Sequence, residues 1–550
     1  MSTCKLTQNI DAWEKILSKD TDSEFILDGV RNGFKVVDNT DVVQNVYCKN
    51  YSSVLEESVR PLAESQIKHE IESRNYVVVD RKPNIVSSLG AIVKDSGKVR
   101  LIHDCSKPDN FSVNSYANTS HFKYQTVDDV VKKLPAGGYM AKLDLSSAYR
   151  SVPIHPSCYE FMGLSWKFDG DCEPTYLIDT RFAFGLAKAP MLFQRIGNSI
   201  VRYMRTLGFM VVCYLDDYLV ISDSEHHCKQ GHDLLLETLE KLGFEINFKK
   251  VEYPSQKMVF LGIEIDSVQC SLSLPDNKLH EMKIELAKWQ TKTKATKLEL
   301  QQLIGRLNWG AKVIKGGRTF LRRLIDLMCS LKRKHHHTRI NSSAKADIQW
   351  WIDYISIFNG TTHFIKEVVP SRIFTTDACT HGGAGAFNSD WFYANWETDY
   401  PEIANLHINF KELFAVFLAS LRWAKSWTNK HVIVYSDNTY TVFMINKGTS
   451  KNNLAMDWLR QLFWLSACYN FQLTARHLRG KDNLISDKLS RLHDVKIDDC
   501  IKFLCEYKLD TKLSHHMSNA TMNYCFFRNS VATSNTRVYE LQESSICLFD

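Results

Sequence analysis

Two adjacent carboxylates, Asp216 and Asp217, interrupt an otherwise apolar run, Met210-Val-Val-Cys-Tyr-Leu-Asp-Asp-Tyr-Leu-Val-Ile-Ser222. The pattern predicts a β-hairpin with the pair at its tip. Like charges crowded in apolar surroundings are tolerable when a cation sits between them, and a divalent metal held by oxygen ligands is the usual solution. For the tetrapeptide alone, an ordinary two-residue Asp-Asp turn is the commoner explanation; its company along the chain argues otherwise. A third carboxylate, Asp144, ends the strand-like Tyr139-Met-Ala-Lys-Leu-Asp144 and runs into a Ser-rich turn. Three carboxylates could hold two Mg²⁺ ions about 3.5 to 4 Å apart, activating a 3′-hydroxyl and stabilising a leaving pyrophosphate. That chemistry is nucleotidyl transfer, which suits Mg²⁺ as a hard cation that shares carboxylates with substrate phosphates. Oxygen ligands suit Mn²⁺ as well.

A second acidic set lies further along. Asp377 ends a strand in Ile373-Phe-Thr-Thr-Asp-Ala378, ahead of a glycine-rich hairpin at Gly382-Gly-Ala-Gly385. Glu412 falls on the helix Asn409–Phe417, Asp437 ends the strand His431–Asp437, and Asp487 opens Asp487-Lys-Leu-Ser-Arg491. One acid at any of these places would mean little, but four at strand ends and helix starts form a set.

The elements that must position these residues divide the chain. Its 550 residues, 44% of them apolar, suit three or four domains with proper cores. Residues 1–75 read as a helical lead-in without an assignable role. Residues 76–270 alternate strands and helices in an α+β pattern, 271–365 are basic and helical, 371–494 form a second α/β unit, and 495–550 lack clear periodicity. The net charge of +6 is concentrated: Asp276–Arg339 holds 16 Lys/Arg against 5 Asp/Glu, a balance of +11, which leaves −5 for the rest. So large an excess downstream of candidate metal ligands favours a phosphate-backbone contact surface over a solvated face. His335-His336-His337, beside Lys332-Arg333-Lys334, reads as exposed linker. The 15 cysteines are scattered singly and read as reduced thiols, with no zinc knuckle or finger. No apolar run reaches membrane-spanning length and the first residues lack a signal-peptide core, so the expectation is an intracellular protein, cytoplasmic or nuclear, without a membrane partner.

Taken together, these segments resemble the reverse transcriptase family. Tyr214-Leu-Asp-Asp217 matches its Tyr-x-Asp-Asp box, and Asp144 its first catalytic aspartate. Tyr149 stands where the family places an aromatic that excludes ribonucleotides. Arg181-Phe-Ala-Phe-Gly-Leu-Ala-Lys-Ala-Pro-Met-Leu-Phe-Gln194 is similar to the box beneath the incoming nucleotide, with Phe184 and Gly185 its matching residues. Ala91–Asp104 resembles the fingers hairpin that grips the triphosphate, through Arg100 and Lys94. Phe260-Leu-Gly-Ile-Glu-Ile265 resembles the turn that positions the primer end, centred on Leu261 and Gly262. Lys250 falls where the family often keeps a lysine that protonates pyrophosphate.

The second set is similar to the ribonuclease H domain. That resemblance implies that Asp377, Glu412, Asp437 and Asp487 hold two Mg²⁺, with His477 on a mobile loop assisting proton transfer or product release. The implied fold is a right-hand polymerase of fingers, palm and helical thumb followed by an α/β ribonuclease H-like domain. The implied partners are an RNA template, a DNA primer, the RNA/DNA hybrid and dNTPs. Arg100-Leu-Ile-His-Asp-Cys-Ser-Lys-Pro108 with Ser112-Val-Asn114, Tyr435-Ser-Asp-Asn-Thr439 with Ile445-Asn-Lys-Gly448, and Trp350-Trp351 are similar to DIRS-group retrotransposons, elements that use a tyrosine recombinase. A gypsy-like or pararetroviral polymerase is the alternative subfamily. The rival functional class is a catalytically silent or domesticated nucleic-acid-binding protein, which retention of all seven acids argues against. A DNA-templated repair polymerase fits poorly with the second acidic set.

Overall fold

The computed structural model describes residues 4–39, 45–93, 97, 99–119, 122–364, 372–428, 430–495 and 497–509. The chain divides into two units, Met1–Ser271 and Leu272–Asp550. The first is built on a four-stranded antiparallel sheet in the order Glu252–Ser255, Tyr139–Asp144, Asp217–Ser222, Met210–Tyr214. Its strands are rich in Val, Ile, Leu and Met, and helices Ala189–Thr206 and Glu225–Lys241 contribute apolar residues to the same core. A five-stranded sheet and the hairpin Ser88–Val93/Val99–Asp104 complete this unit's strands up to Trp166 and Asp179.

The N-terminal helices are not an appendage. Trp13, Leu17, Ile26 and Val30 are fully buried in the core that also holds Leu239, Leu242 and Phe244. The Trp13 indole donates to the Leu242 carbonyl at 3.1 Å, and Arg202 forks onto the Asp20 carboxylate with two 2.8 Å bonds. The lead-in is therefore part of the floor under the sheet.

In the second unit, helix Lys297–Gly310 opens with a reciprocal capping box between Thr296 and Glu299. Of the histidine segment, His335 and His336 lie outside any helix or strand as expected of a linker, but His337 is a correction: it opens the strand His337–Arg339, paired antiparallel with Lys294–Thr296. A five-stranded sheet follows in the order Asp390–Asn395, Gly382–Phe387, Arg372–Ala378, His431–Ser436, Gln472–His477. The last two strands run parallel to the central one. Helix Ile408–Trp423 is buried on nearly every side, and the α/β core forms around it. The tail from 495, whose sequence lacks clear periodicity, has a defined element near its start. Helix Ile497–Glu506 packs Cys500, Phe503 and Leu504 with Trp391, Tyr393 and Leu489, closing a second small core. Residues 510–550 lie outside the described residues.

A buried charge ties the helical part of this unit to its α/β part. Asp347, on helix Ser342–Phe358, is fully buried between Arg323 and Arg460, the latter on helix Asn453–Cys468. Burial pushes its carboxyl up to about 6 despite the two guanidinium groups.

Because Trp13 is a large side chain in a close-packed core with its N–H satisfied, Trp13→Ala should cost about 3 to 5 kcal/mol of stability. Urea unfolding of the wild type and variant measures this, and an unchanged midpoint would mean the lead-in is peripheral.

Candidate active site

The first acidic set is assembled by strand register. Asp144 and Asp217 stand directly opposite each other on neighbouring antiparallel strands, and the Leu145 amide donates to the Asp216 carbonyl at 3.1 Å. The turn that presents Asp216 is strained: Leu215 has φ 54°, a left-handed conformation unfavourable for a branched side chain. Gln194, fully buried, braces both sides of it. Its amide N–H donates to the Cys213 carbonyl at 3.0 Å, and its carbonyl accepts from the Leu215 N–H at 2.8 Å.

Burial raises the Asp217 carboxyl to about 6, with Asp216 adding repulsion; Asp216 is also raised, by burial and by Asp144. Asp144, 3% exposed, has its two oxygens held separately, one by Asn247 Nδ2 and one by Lys250 Nζ, each at 2.9 Å. Lys250, expected near the triphosphate, is thus anchored on a catalytic candidate, and the bond to Asp144 raises its pKa and holds it as an ammonium.

The nucleotide-side candidates form a continuous stack. The Arg100 guanidinium lies 4.5 Å over the Phe184 ring, Phe184 is 5.4 Å from Tyr149, and Tyr149 is 5.4 Å from Phe193 in the core. Gly185 has φ 130°, and a Cβ there would fall 1.9 Å from the His103 carbonyl oxygen, so the backbone approach tolerates no side chain. Leu261 and Gly262, with φ of 49° and 77°, form the two-residue turn between strands Lys257–Phe260 and Ile263–Asp266. Lys94 lies outside the described residues. Behind Tyr149, Arg150 is clamped by Asp179 at 2.8 Å and Glu70 at 2.8 Å.

The second acidic set is tighter. Carboxylate oxygens of Asp377, Glu412 and Asp437 lie within 4.8 Å of one another, the grouping among the described residues best fitted to a metal ion. Three hard oxygen donors, two of them buried and that of Asp437 half-buried, suit a divalent cation of the Mg²⁺ type. Glu412 accepts from the Ala378 amide at 2.9 Å and the Ser436 hydroxyl at 3.3 Å, while the Ser490 hydroxyl donates to Asp377 at 2.6 Å. Burial lifts Asp377 to about 6 against that hydrogen bond, with Asp437 and Asp487 adding to the rise, and burial followed by Asp377 lifts Glu412 well above its ordinary value.

Asp487 stands outside this tight group. It lies within helix Leu484–Ser490, and its carboxylate takes Arg491 Nη2 at 2.8 Å. His477 corrects the loop expectation: it is the last residue of strand Gln472–His477, beside Ser436 in register and exposed. Gln194, Asn247, Arg150 and Ser490 were not singled out by sequence reasoning. Gln194 and Ser490 do stand inside quoted motifs, whereas Arg150 and Asn247 acquire meaning only through partners distant in the chain.

Three comparisons bear on this geometry. The family described as reverse transcriptase (RNA-dependent DNA polymerase) matches residues 92–265. The chain is 28% identical over 333 residues to the enzymatic polyprotein of Figwort mosaic virus (strain DxS), covering 56% of this chain and 44% of that one. It is 22% identical over 471 residues to the retrovirus-related Pol polyprotein from transposon 412 of Drosophila melanogaster, covering 82% of this chain and 35% of the polyprotein. The chain thus spans less than half the length of either relative. Among solved structures, the foamy viral protease-reverse transcriptase in complex with an RNA/DNA hybrid shares the fold at TM-score 0.51 and 13% identity, over 85% of this chain and 62% of that one. Its complex with double-stranded DNA gives 0.50 and 14%, over 86% and 97%.

The raised Asp377 gives a signed expectation for pH. Its native pKa of about 6 exceeds its ordinary 3.8, so without metal the folded state binds more protons than the unfolded state between those values. Wild-type stability should therefore fall as pH rises through that window, with Asp377 contributing about 1 to 3 kcal/mol of the fall, and Asp377→Asn should lessen the decline while the other raised carboxyls, Asp217, Asp347 and Glu412, keep the remainder. Thermal unfolding in chelator across the range measures it; added Mg²⁺ should stabilise the wild type more than the variant.

Proposed function

We propose that this chain, which carries the reverse transcriptase domain of retroelement and retrovirus-type polyproteins, is an RNA-directed DNA polymerase with a joined ribonuclease H. It extends a DNA primer on an RNA template from dNTPs and cuts the RNA strand of the resulting hybrid. The observation that carries this reading is the pair of acidic sets, Asp144 with Asp216 and Asp217 in one unit and Asp377 with Glu412 and Asp437 in the other. Solved neighbours in complex with double-stranded DNA and with an RNA/DNA hybrid support nucleic acid as the partner.

The grouping of Asp377, Glu412 and Asp437 supports a divalent-cation site that Asp487 would complete, and Asp144, Asp216 and Asp217 are the residues that would hold the ions of the first set; two Mg²⁺ or Mn²⁺ at each would supply Lewis-acid activation of the attacking hydroxyl or water and stabilise the leaving oxygen. The chain's own residues do the rest. Arg100, poised over Phe184, takes the triphosphate, and Tyr149 beneath it closes the space a 2′-hydroxyl would need. Lys250 donates a proton to pyrophosphate, and His477, exposed at its strand end, moves a proton at the hydrolytic site. Leu261 and Gly262 seat the primer end. Unpaired cations of 276–339 outside the segment Ala311–Thr319 hold the hybrid's phosphates; others, such as Arg306 with Glu285 and Lys292 with Glu299, are spent on ion pairs. Within retroelements, the motif wording supports a place in the DIRS group, and the reading has the chain acting inside the cell alongside a tyrosine recombinase. No helix among the described residues is long and apolar enough to cross a membrane.

The deciding experiment is primer extension on poly(rA)/oligo(dT) with Mg²⁺ or Mn²⁺. Asp217→Asn should abolish extension and spare hybrid cleavage, and Glu412→Gln should do the reverse. Survival of both activities in either variant would remove the assignment, and inactivity of the wild type would favour a silent nucleic-acid-binding protein. In a second assay, Tyr149→Ala should incorporate ribonucleotides that the wild type rejects; unchanged discrimination would end its gating role.

A further inference from the structure

The second unit contains a cavity of about 340 Å³ that no residue of its acidic set lines, between the segment Ala311–Thr319 and helices Thr439–Lys447 and Asn453–Cys468. Four cations line it, Lys312, Lys315, Arg318 and Lys447, and among the described residues it has no acidic lining residue. None of the four is ion-paired among the described residues. Its floor is apolar, with Leu462 and Phe463 buried beneath it. Gly316 makes the close approach possible: its φ is 79°, and a Cβ would fall 2.2 Å from the Phe463 ring. Lys315 is the least solvated of the four, and burial alone pushes its ammonium below the ordinary value. An unpaired, desolvated cation is costly to keep unless an anion joins it.

We propose that this cavity binds a phosphomonoester carried on an aromatic body, of nucleoside monophosphate size. The cations take the phosphate and the apolar floor takes the ring. The volume suits a small ligand, and an apolar floor gives inorganic phosphate nothing to distinguish it from bulk anions. A free mononucleotide and the 5′-phosphorylated end of a strand both present this chemistry.

Isothermal titration calorimetry of the full chain with dAMP, inorganic phosphate, deoxyadenosine and an oligodeoxynucleotide with or without a 5′-phosphate tests it. We expect dAMP or the 5′-phosphorylated strand to bind more tightly than inorganic phosphate or deoxyadenosine, the tighter of the two identifying the source. Lys315→Met combined with Lys447→Gln should weaken that binding by about tenfold or more. Lys315→Met should also raise the melting temperature without ligand and lose the ligand-induced rise of the wild type. Equal affinity in the variants, affinity for inorganic phosphate or deoxyadenosine equal to that for dAMP and the 5′-phosphorylated strand, or a lowered melting temperature for Lys315→Met would each overturn the proposal.

Discussion

Carboxylates brought together in poorly solvated surroundings repel one another, and both units are organised around holding that repulsion in place. In the first, Asp144 and Asp217 cannot separate because they are opposed in a sheet register that six paired residues enforce. In the second, Asp377 lies on a central strand, Glu412 on the helix buried against it and Asp437 just beyond the neighbouring parallel strand. Three different elements would have to move for the charges to relax. The raised carboxyls are the cost of that rigidity, and the cost falls when cations are present.

The two sets handle the repulsion differently. Asp144 is neutralised within the protein by Lys250 and oriented by Asn247, so one ligand of the first set already has a cationic partner. Within the tight trio of the second set, Asp377 and Glu412 are met by hydroxyl and amide donors, from Ser490, Ser436 and Ala378, and the nearby guanidinium of Arg491 is paired with Asp487. A neutral donor fixes a carboxylate's direction without supplying charge. The first set consequently exchanges one counter-charge for another when it loads, whereas the trio of the second gains a charge that its direct hydrogen-bond partners do not supply.

Much of the chemistry was legible in the residues, because charge in an apolar run carries information wherever it occurs. The Asp216-Asp217 hairpin, the strand ending at Asp144 and helix Ser342–Phe358 all follow local periodicity. What escaped was partnership. A buried Gln194 reads like any helical glutamine until the carbonyl of Cys213 and the amide of Leu215 meet it. The amphipathic helices before residue 33 gave no sign that the palm sheet was their partner. The loop expected for His477 came from the family resemblance, whereas here the residue ends a strand that owes its state to pairing with His431–Ser436. Helix Ile497–Glu506 buries its apolar face on a sheet face that local sequence does not reveal.

The Asp347 cluster has a bearing on how such chains diversify. Its carboxylate belongs to the helical segment, whereas Arg460 belongs to the α/β domain that follows. An exchange that replaced the α/β domain with one from a distant lineage would leave a buried carboxylate with half its counter-charge, a defect costlier than the loss of any surface contact. Recombination breakpoints between these two segments should therefore be selected against unless the arginine arrives with the new domain, making a structural ion cluster a record of shared descent for the parts it joins.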